Sequence, residues 1–584
     1  SPLAPAVNPD GSMPVIGFSP GMLSTPNWYR VAKEADASTD NNRLLATTYL
    51  EAEIIKGLTF KTTVNAELGN RFFRNFVPST SGSTNQAMPR ASGDLTMNTV
   101  NYQTWLNENT ITYKKKFGDH SFDLLGGYSA QKYRSDMTNI TATNFANDKV
   151  RTLSAATTFV PTSEVQEWSL TSEFGRLGYS FRNKYLVTAS LRRDGSSRFG
   201  ASKKYGTFSS VSLGWVVSEE DFMQKLDKVS FLKLRTSYGT VGNNNIGNYT
   251  YYAAVSNINN GQSNNAVFDG TIAPGNNVTT LANTTLSWER TAQLDIGLDL
   301  GLFNNRINFS YDYYNKITDG LLFNVPVPVY TGFPSLIANI GKFKYWGHEF
   351  LVSTRNLTGN FKWSTDFNIS FNRNRVEQLG TANAALGGGT SRNITTVGQP
   401  IGQLWGYVYE GIYNNADDFA KYPKFQTSAI GSARMKDVNG DGVVTVDDRT
   451  IIGNPNPNFI FGITNSFSYK NLDLSIVSSG SQGNDIMNTA LEYTNNLDGA
   501  FNVTKNVANR WRSPDNVGNG LVPTTKAGTT GLDRNANTLW VTDGSHLTIK
   551  NITLGYRIPV TNIKYLSSLR AYASVQQAAI FTKY

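Results

Sequence analysis

At 584 residues the chain is longer than one ordinary globular core needs, yet only 17% of it is charged, and it carries 51 Gly, 32 Phe and 28 Tyr, the composition of many short strands and tight turns. Cysteine is absent, which excludes disulfide staples and thiolate metal sites, and the net charge of +9 is spread without a sustained basic block, which excludes a concentrated nucleic-acid surface. No run of ~18 apolar residues occurs, so no membrane helix is expected, and Ser1 to Asn8 lacks a signal-peptide pattern, which for an exported protein implies a chain whose beginning is missing.

Taken in chain order, the strongest signal is period two. Leu58, Phe60, Val64, Ala66 and Leu68 alternate with Thr59, Lys61, Thr63, Asn65 and Glu67. After Ser218 the string SEEDFMQKL places Ser218 and Asp221 at capping-box spacing, and a short helix is expected to begin there. Ala292, Leu294, Ile296, Leu298 and Leu300 then alternate with Thr291, Gln293, Asp295 and Asp299. Phe361, Trp363, Phe367, Ile369 and Phe371 do so with Lys362, Ser364, Asp366, Asn368 and Asn372. Such alternation puts one set on each face of a strand. In Leu547 to Tyr556 the phase slips, and a β-bulge near Lys550-Asn551 would keep one face apolar.

Alternation alone also fits a soluble sandwich; the connections decide the class. About sixteen strands pair into hairpins. Short turns fall at Lys56-Gly57, Gly118-Asp119, Arg182 to Lys184, Asn304-Asn305, Leu357 to Gly359 and Lys470-Asn471. Ser218 to Ser230 and Pro559 to Ser568 take the same place in the rhythm. Between hairpins run long excursions: Asn70 to Asn101, Asn243 to Leu286, Asn374 to Asn458 and Gln482 to Ser545. Short and long connections alternate throughout, as in all-β transmembrane antiparallel barrels with short periplasmic turns and long external loops. Aromatics beside the turns, such as Tyr179, Phe181 and Tyr185, fit interfacial girdles. The three histidines, His120, His348 and His546, have no metal-binding or catalytic spacing and read as strand or turn residues, so no enzyme is expected.

Particular strings carry a family resemblance. RRDGSSRFG (Arg192 to Gly200), YGTFSSVSLGW (Tyr205 to Trp215), SEEDFM (Ser218 to Met223), LKLRTSYGTVGN (Leu232 to Asn243), LSWER (Leu286 to Arg290), NIGK (Asn339 to Lys342), GHEF (Gly347 to Phe350), DVNGDG (Asp437 to Gly442), IGNPNP (Ile452 to Pro457) and LTIKNITLGY (Leu547 to Tyr556) stand in one order. Together, from about residue 40 to the end, the chain resembles the barrel of SusC-like (SusC/RagA) TonB-dependent outer-membrane transporters. The departure is QAAI at Gln577 to Ile580, where relatives usually carry an Asn-Leu pair. The resemblance implies a twenty-two-stranded barrel around a plug. Residues 1–584 would then be a partial barrel domain, without plug, N-terminal extension or last strand. Strand parity agrees: the first strand should run inward and the last outward.

The family implies an importer of oligosaccharides or peptides in the outer membrane of a Gram-negative, Bacteroidetes-type cell, surrounded by outer-membrane lipid. Its partners would be a SusD-like surface lipoprotein acting as a lid and the TonB-ExbB-ExbD complex pulling on the plug. A passive porin or a soluble carbohydrate-binding or adhesin β protein are the alternatives. One metal-like motif stands out. Asp437, Asn439, Asp441 and Asp448 occupy positions 1, 3, 5 and 12 of a calcium-type loop, with the Val443 carbonyl at 7 and Gly442 at 6. Asp at 12 is shorter than the usual Glu, and an Asx-rich turn gives the same pattern. Trp405, Tyr407 and Tyr409 could stack on sugar rings or pack the loop against the rim.

Overall fold

The computed structural model describes residues 6–14, 16–17, 25–81, 91–223, 225–256, 258–259, 262–263, 265–273, 275–380, 383–389, 391–495, 503–524, 532, 535–560, 563 and 565–583. One antiparallel sheet of sixteen strands dominates it, and each strand pairs with its neighbours in sequence. The first eight are β1 (Asp36–Ile55), β2 (Leu58–Val77), β3 (Asp94–Phe117), β4 (His120–Thr143), β5 (Thr158–Phe181), β6 (Tyr185–Ser196), β7 (Tyr205–Val216) and β8 (Val229–Asn243). The second eight are β9 (Glu289–Leu302), β10 (Ile307–Pro326), β11 (Ser335–Thr358), β12 (Phe361–Leu379), β13 (Phe459–Tyr469), β14 (Leu472–Gln482), β15 (His546–Ile558) and β16 (Leu569–Thr582). Among the described residues β1 and β16 are not paired with each other and form the two edges.

Register converts the alternation into two faces. Leu234 pairs with Leu298, and Leu298 with Tyr311, on one face, while Arg235 pairs with Gly297, and Gly297 with Asp312, on the other. The tight connections use positive φ: Arg182 and Asn183, in the three residues between β5 and β6, have φ 52° and 56°, and Asn304 and Asn305, in the four residues between β9 and β10, have 57° and 55°. Gly57, at φ 85°, leaves no room for a side chain, since a Cβ there would lie 2.3 Å from the Lys114 carbonyl oxygen. The bulge expected at Lys550-Asn551 is present: pairing to β16 shifts between Ile549 and Asn551. The departing QAAI string supplies its counterpart, with Gln577 at φ 51° and Ile580 paired to Thr548.

Three expectations are corrected. The Asn70 to Asn101 excursion is much shorter, because pairing continues through Phe76↔Leu95 before the chain leaves the sheet. The turn set at Leu357 to Gly359 falls between Thr358 and Phe361. The capping box at Ser218 does not form: Val217–Glu219 is a single 3₁₀ turn without a side-chain cap, and the Ser218 hydroxyl is buried without a partner. No described helix is long and apolar enough to cross a membrane.

Buried clusters gather in and beside the long connections, away from mid-sheet. Phe76, Leu95, Ala142, Phe145 and Ala156 form one, and Phe199, Ile246 and Leu286 a second. A third joins Phe343, Val376 and Leu379 at the outer ends of β11 and β12.

Candidate functional site: a polar wall and an outer unit

The polar face of the sheet is charged, but its charges are largely matched across strands. Lys61 meets Glu51 at 3.3 Å, Arg43 meets Glu67 at 2.8 Å and Arg176 meets Asp123 at 3.3 Å. Arg570 is paired with Asp473. The densest knot is Arg235 on β8, 2.6 Å from Asp312 on β10, 3.1 Å from Asp299 and 3.9 Å from Asp295, both on β9. Because these groups remain about one-third exposed or less, each pair fixes geometry more than it adds stability. Above this knot, small side chains leave a cleft of about 550 Å³ lined by Ser190, Ser210, Ser212, Ser237 and Gly239, with Arg192 and Asp194 at one end. A second cleft of about 270 Å³ shares Ser212 and Ser237 and reaches Arg235 and Asp295. Such a wall offers hydroxyls and matched ion pairs to a polar solute, and the described clefts hold no arrangement of nucleophile and base.

The excursions after β12 and β14 fold together. The Tyr407 amide donates to the Ala536 carbonyl at 2.9 Å, and the Thr538 amide donates to the Tyr407 carbonyl at 3.1 Å. Trp511 Nε1 donates to the Asn414 carbonyl at 3.2 Å, and Arg392 pairs with Glu492. Tyr407, Ala433, Met435, Val444 and Leu532 make a joint core. Of the two readings of Trp405, Tyr407 and Tyr409, stacking and packing, the structure favours packing: Tyr407 is 2% exposed, and the Tyr409 hydroxyl donates to the Leu521 carbonyl at 3.2 Å. Trp405 Nε1 is buried without a partner, so these rings pack the unit.

The calcium-type loop lies on this unit. Asp437 accepts the Gly440 and Gly442 amides at 2.6 and 2.9 Å, Asn439 accepts the Asp441 amide at 2.9 Å, and Asp441 accepts the Val443 amide at 3.0 Å. Asp448 is fully buried and accepts the Val438, Asn439 and Thr445 amides at 2.8, 3.3 and 2.7 Å. Burial alone would raise the Asp448 carboxyl; the amides of Thr445, Val438 and Asn439, with the Asp437 side chain against it, outweigh that and hold it below the usual carboxylate range. The loop thus brings the five named residues into one turn, with carboxylate oxygens turned onto backbone amides. Among the described residues no three acidic or histidine side chains group as a metal cluster. His120 bonds Tyr179, His348 bonds Tyr311 and His546 bonds Ser481, each within the sheet framework.

Sequence reasoning missed the Arg235 knot, whose members come from three strands 60 to 77 positions apart. The available signal was phase: Asp295 and Asp299 occupy the polar positions of an otherwise leucine-rich strand.

A family model described as "TonB dependent receptor-like, beta-barrel" matches residues 7–576. TonB-dependent receptor P3 of Formosa agariphila is 35% identical over 577 residues, covering 96% of this chain and 55% of that protein. TonB-dependent receptor SusC of Bacteroides thetaiotaomicron is 30% identical over 436 residues, covering 71% of this chain and 41% of that one. The chain spans about half the length of the curated relatives it matches. Among solved structures, the RagAB peptide importer in its closed-closed state superposes with a TM-score of 0.83 at 25% identity, covering 99% of this chain and 62% of that chain.

Proposed function

The chain belongs to the TonB-dependent receptor-like β-barrel family and is SusC-like within it, and from that membership we propose that the intact protein imports oligosaccharides or peptides across an outer membrane. The observation that carries this reading is the two-faced sheet, apolar on one side and ion-paired and hydroxyl-lined on the other, with long connections folded at one end. In a bilayer the apolar face meets hydrocarbon and the polar face lines the interior. A SusD-like lipoprotein over the outer unit and TonB-driven movement of a plug complete the proposal, and no bond in the cargo is made or broken.

An energised importer and a passive porin part company in one experiment. A deletion strain carrying the intact gene should take up a labelled oligosaccharide or peptide cargo only while the proton-motive force is maintained. Uptake that survives an uncoupler would favour the porin. For the Asp437 to Asp448 loop, calcium is the proposed ligand, supported by the order of Asp437, Asn439, Asp441, Val443 and Asp448. Calorimetric titration of the intact protein with calcium should give saturable heat that Asp441→Ala removes; no heat would leave an amide-capped turn.

A further inference from the structure

Charges on the polar face are largely matched across strands; those on the outward face of β11 and β12 are not. The outward pairs of these two strands run Phe350↔Ile369, His348↔Phe371, Trp346↔Arg373 and Lys344↔Arg375. Away from the short turns the wall thus passes from aliphatic and aromatic residues to a row of rings and then to cations. The ring row runs from β10 to β13: Tyr313 packs on His348 with centroids 5.2 Å apart, and Phe371 packs on Phe459 at 5.7 Å.

Depth follows from strand geometry. Trp363, stacked on Phe467 at 5.8 Å, marks the opposite ring row, beside the short turns. Arg373 and Arg375 stand ten and twelve residues beyond Trp363 on the same phase of β12, about 33 and 40 Å along a strand rising ~3.3 Å per residue. At a barrel tilt of ~35–45° that is about 25 and 30 Å along the membrane normal, the far edge of an apolar band ~25 Å tall and the polar zone beyond it.

The cations outnumber their partners. Arg375 Nη2 donates to Glu377 at 2.8 Å, whereas Lys344 and Arg373 have no carboxylate partner among the described residues. Arg373 Nη1 donates to the Asn372 and Asn458 carbonyls, each at 2.8 Å, and Lys344 Nζ lies 5.6 Å from the centre of the Trp346 ring. Like charges directly opposite each other in a sheet repel, and Lys344 and Arg375 are such a pair. One row further out, Asp319 stands in register with both Arg290 and Lys342 and so already faces two cations of its own. Arg373 and Arg375 are exposed, while Lys344 and Trp346 are half-buried.

Resting on the membrane reading above, we propose that this patch of β11 and β12 binds the phosphate of a phosphorylated glycolipid in the outer leaflet. Guanidinium and ammonium groups hold phosphate through charge-assisted hydrogen bonds, and an anion between Lys344 and Arg375 removes their repulsion. Trp346 lies at headgroup depth, where an indole serves an apolar and a wet side at once. Carboxylates of another protein would neutralise the same cations, but the wall beneath them continues without a break into Phe350 and Ile369. A single occupant meets both layers only if it joins an anionic head to acyl chains.

The test titrates the intact protein, in phosphatidylcholine nanodiscs, with lipid A whose phosphates are present or enzymatically removed, and native mass spectrometry counts the bound glycolipid. The phosphorylated form should be retained and the phosphate-free form should not. Lys344→Gln with Arg375→Gln leaves the Arg373 bonds in place and should weaken retention about thirtyfold, the share of two cations at an anionic surface, with the folded, heat-modifiable band kept. Lys344→Gln alone should weaken it about fivefold, which keeps the proposal open to refutation if the double variant does not fold. Lys115→Gln, beside the Gly118 turn at the opposite edge, should leave retention unchanged. Equal retention of the two lipid forms, unchanged retention in the Lys344 variants, or displacement by inorganic phosphate at equal concentration would overturn the glycolipid assignment alone. Recovery of the intact protein without detergent in the soluble fraction would instead overturn the membrane reading.

Discussion

Asp448 fastens two ends of one loop, because the amides it accepts come from Val438 and Asn439 at the start and Thr445 near the finish. Replacing it with alanine leaves three part-buried amide donors without their acceptor, at on the order of 3 kcal/mol of local stability. Asp448→Ala should therefore raise hydrogen exchange at those amides about a hundredfold while the sheet stays protected. The sign of the pH dependence follows from the lowered carboxyl. Stability from this group is complete above the unfolded value of ~3.9 and is lost only as pH falls through the still lower folded value. Exchange in the loop, corrected for intrinsic chemistry, should hence be flat from about pH 5 to 8 and rise only in strong acid.

At the scale of a strand, consequence depends on phase. Leu298 sits in the middle of the apolar run of β9, and Leu298→Arg should destabilise the folded barrel by about 2–4 kcal/mol in lipid. Ser237→Arg, on the polar face and in register with Asp295, should change it by no more than about 1 kcal/mol. Urea unfolding in vesicles compares the two. Phase is also what could be read beforehand: turns such as Lys470-Asn471 and the Lys550 bulge are local events, announced by their own residues. Strand ends were not, since β2 and β3 stay paired beyond Asn70, where Phe72 and Phe73 stand side by side and the period-two alternation breaks. The Ser218 capping box failed for the opposite reason, a local preference overridden by the strands that flank it. The Arg235 knot and the burial of Tyr407 depend on which strands and loops become neighbours, and a single strand's pattern does not encode that.

For the molecule as a whole, orientation is the first thing to check. Thr427, on the outer unit, should react with an impermeant maleimide on whole cells as Thr427→Cys, and Asn305→Cys, in a short turn, should react only after lysis. Reversal of the two would invert the barrel. The joint core around Tyr407 further predicts that a protease site inserted between Ala416 and Lys421 can be cut without release of either piece, read by native electrophoresis. The strand order carries one more consequence. Each strand of the sheet between its two edges lies between its predecessor and its successor in the chain, so no segment has to be threaded past another. The perimeter is then simply a tally of hairpins: taking out one complete hairpin with its outer connection narrows the ring and leaves every remaining pairing unchanged. A wall of this kind can be laid down in the order of synthesis and resized by duplication or loss of one repeating piece.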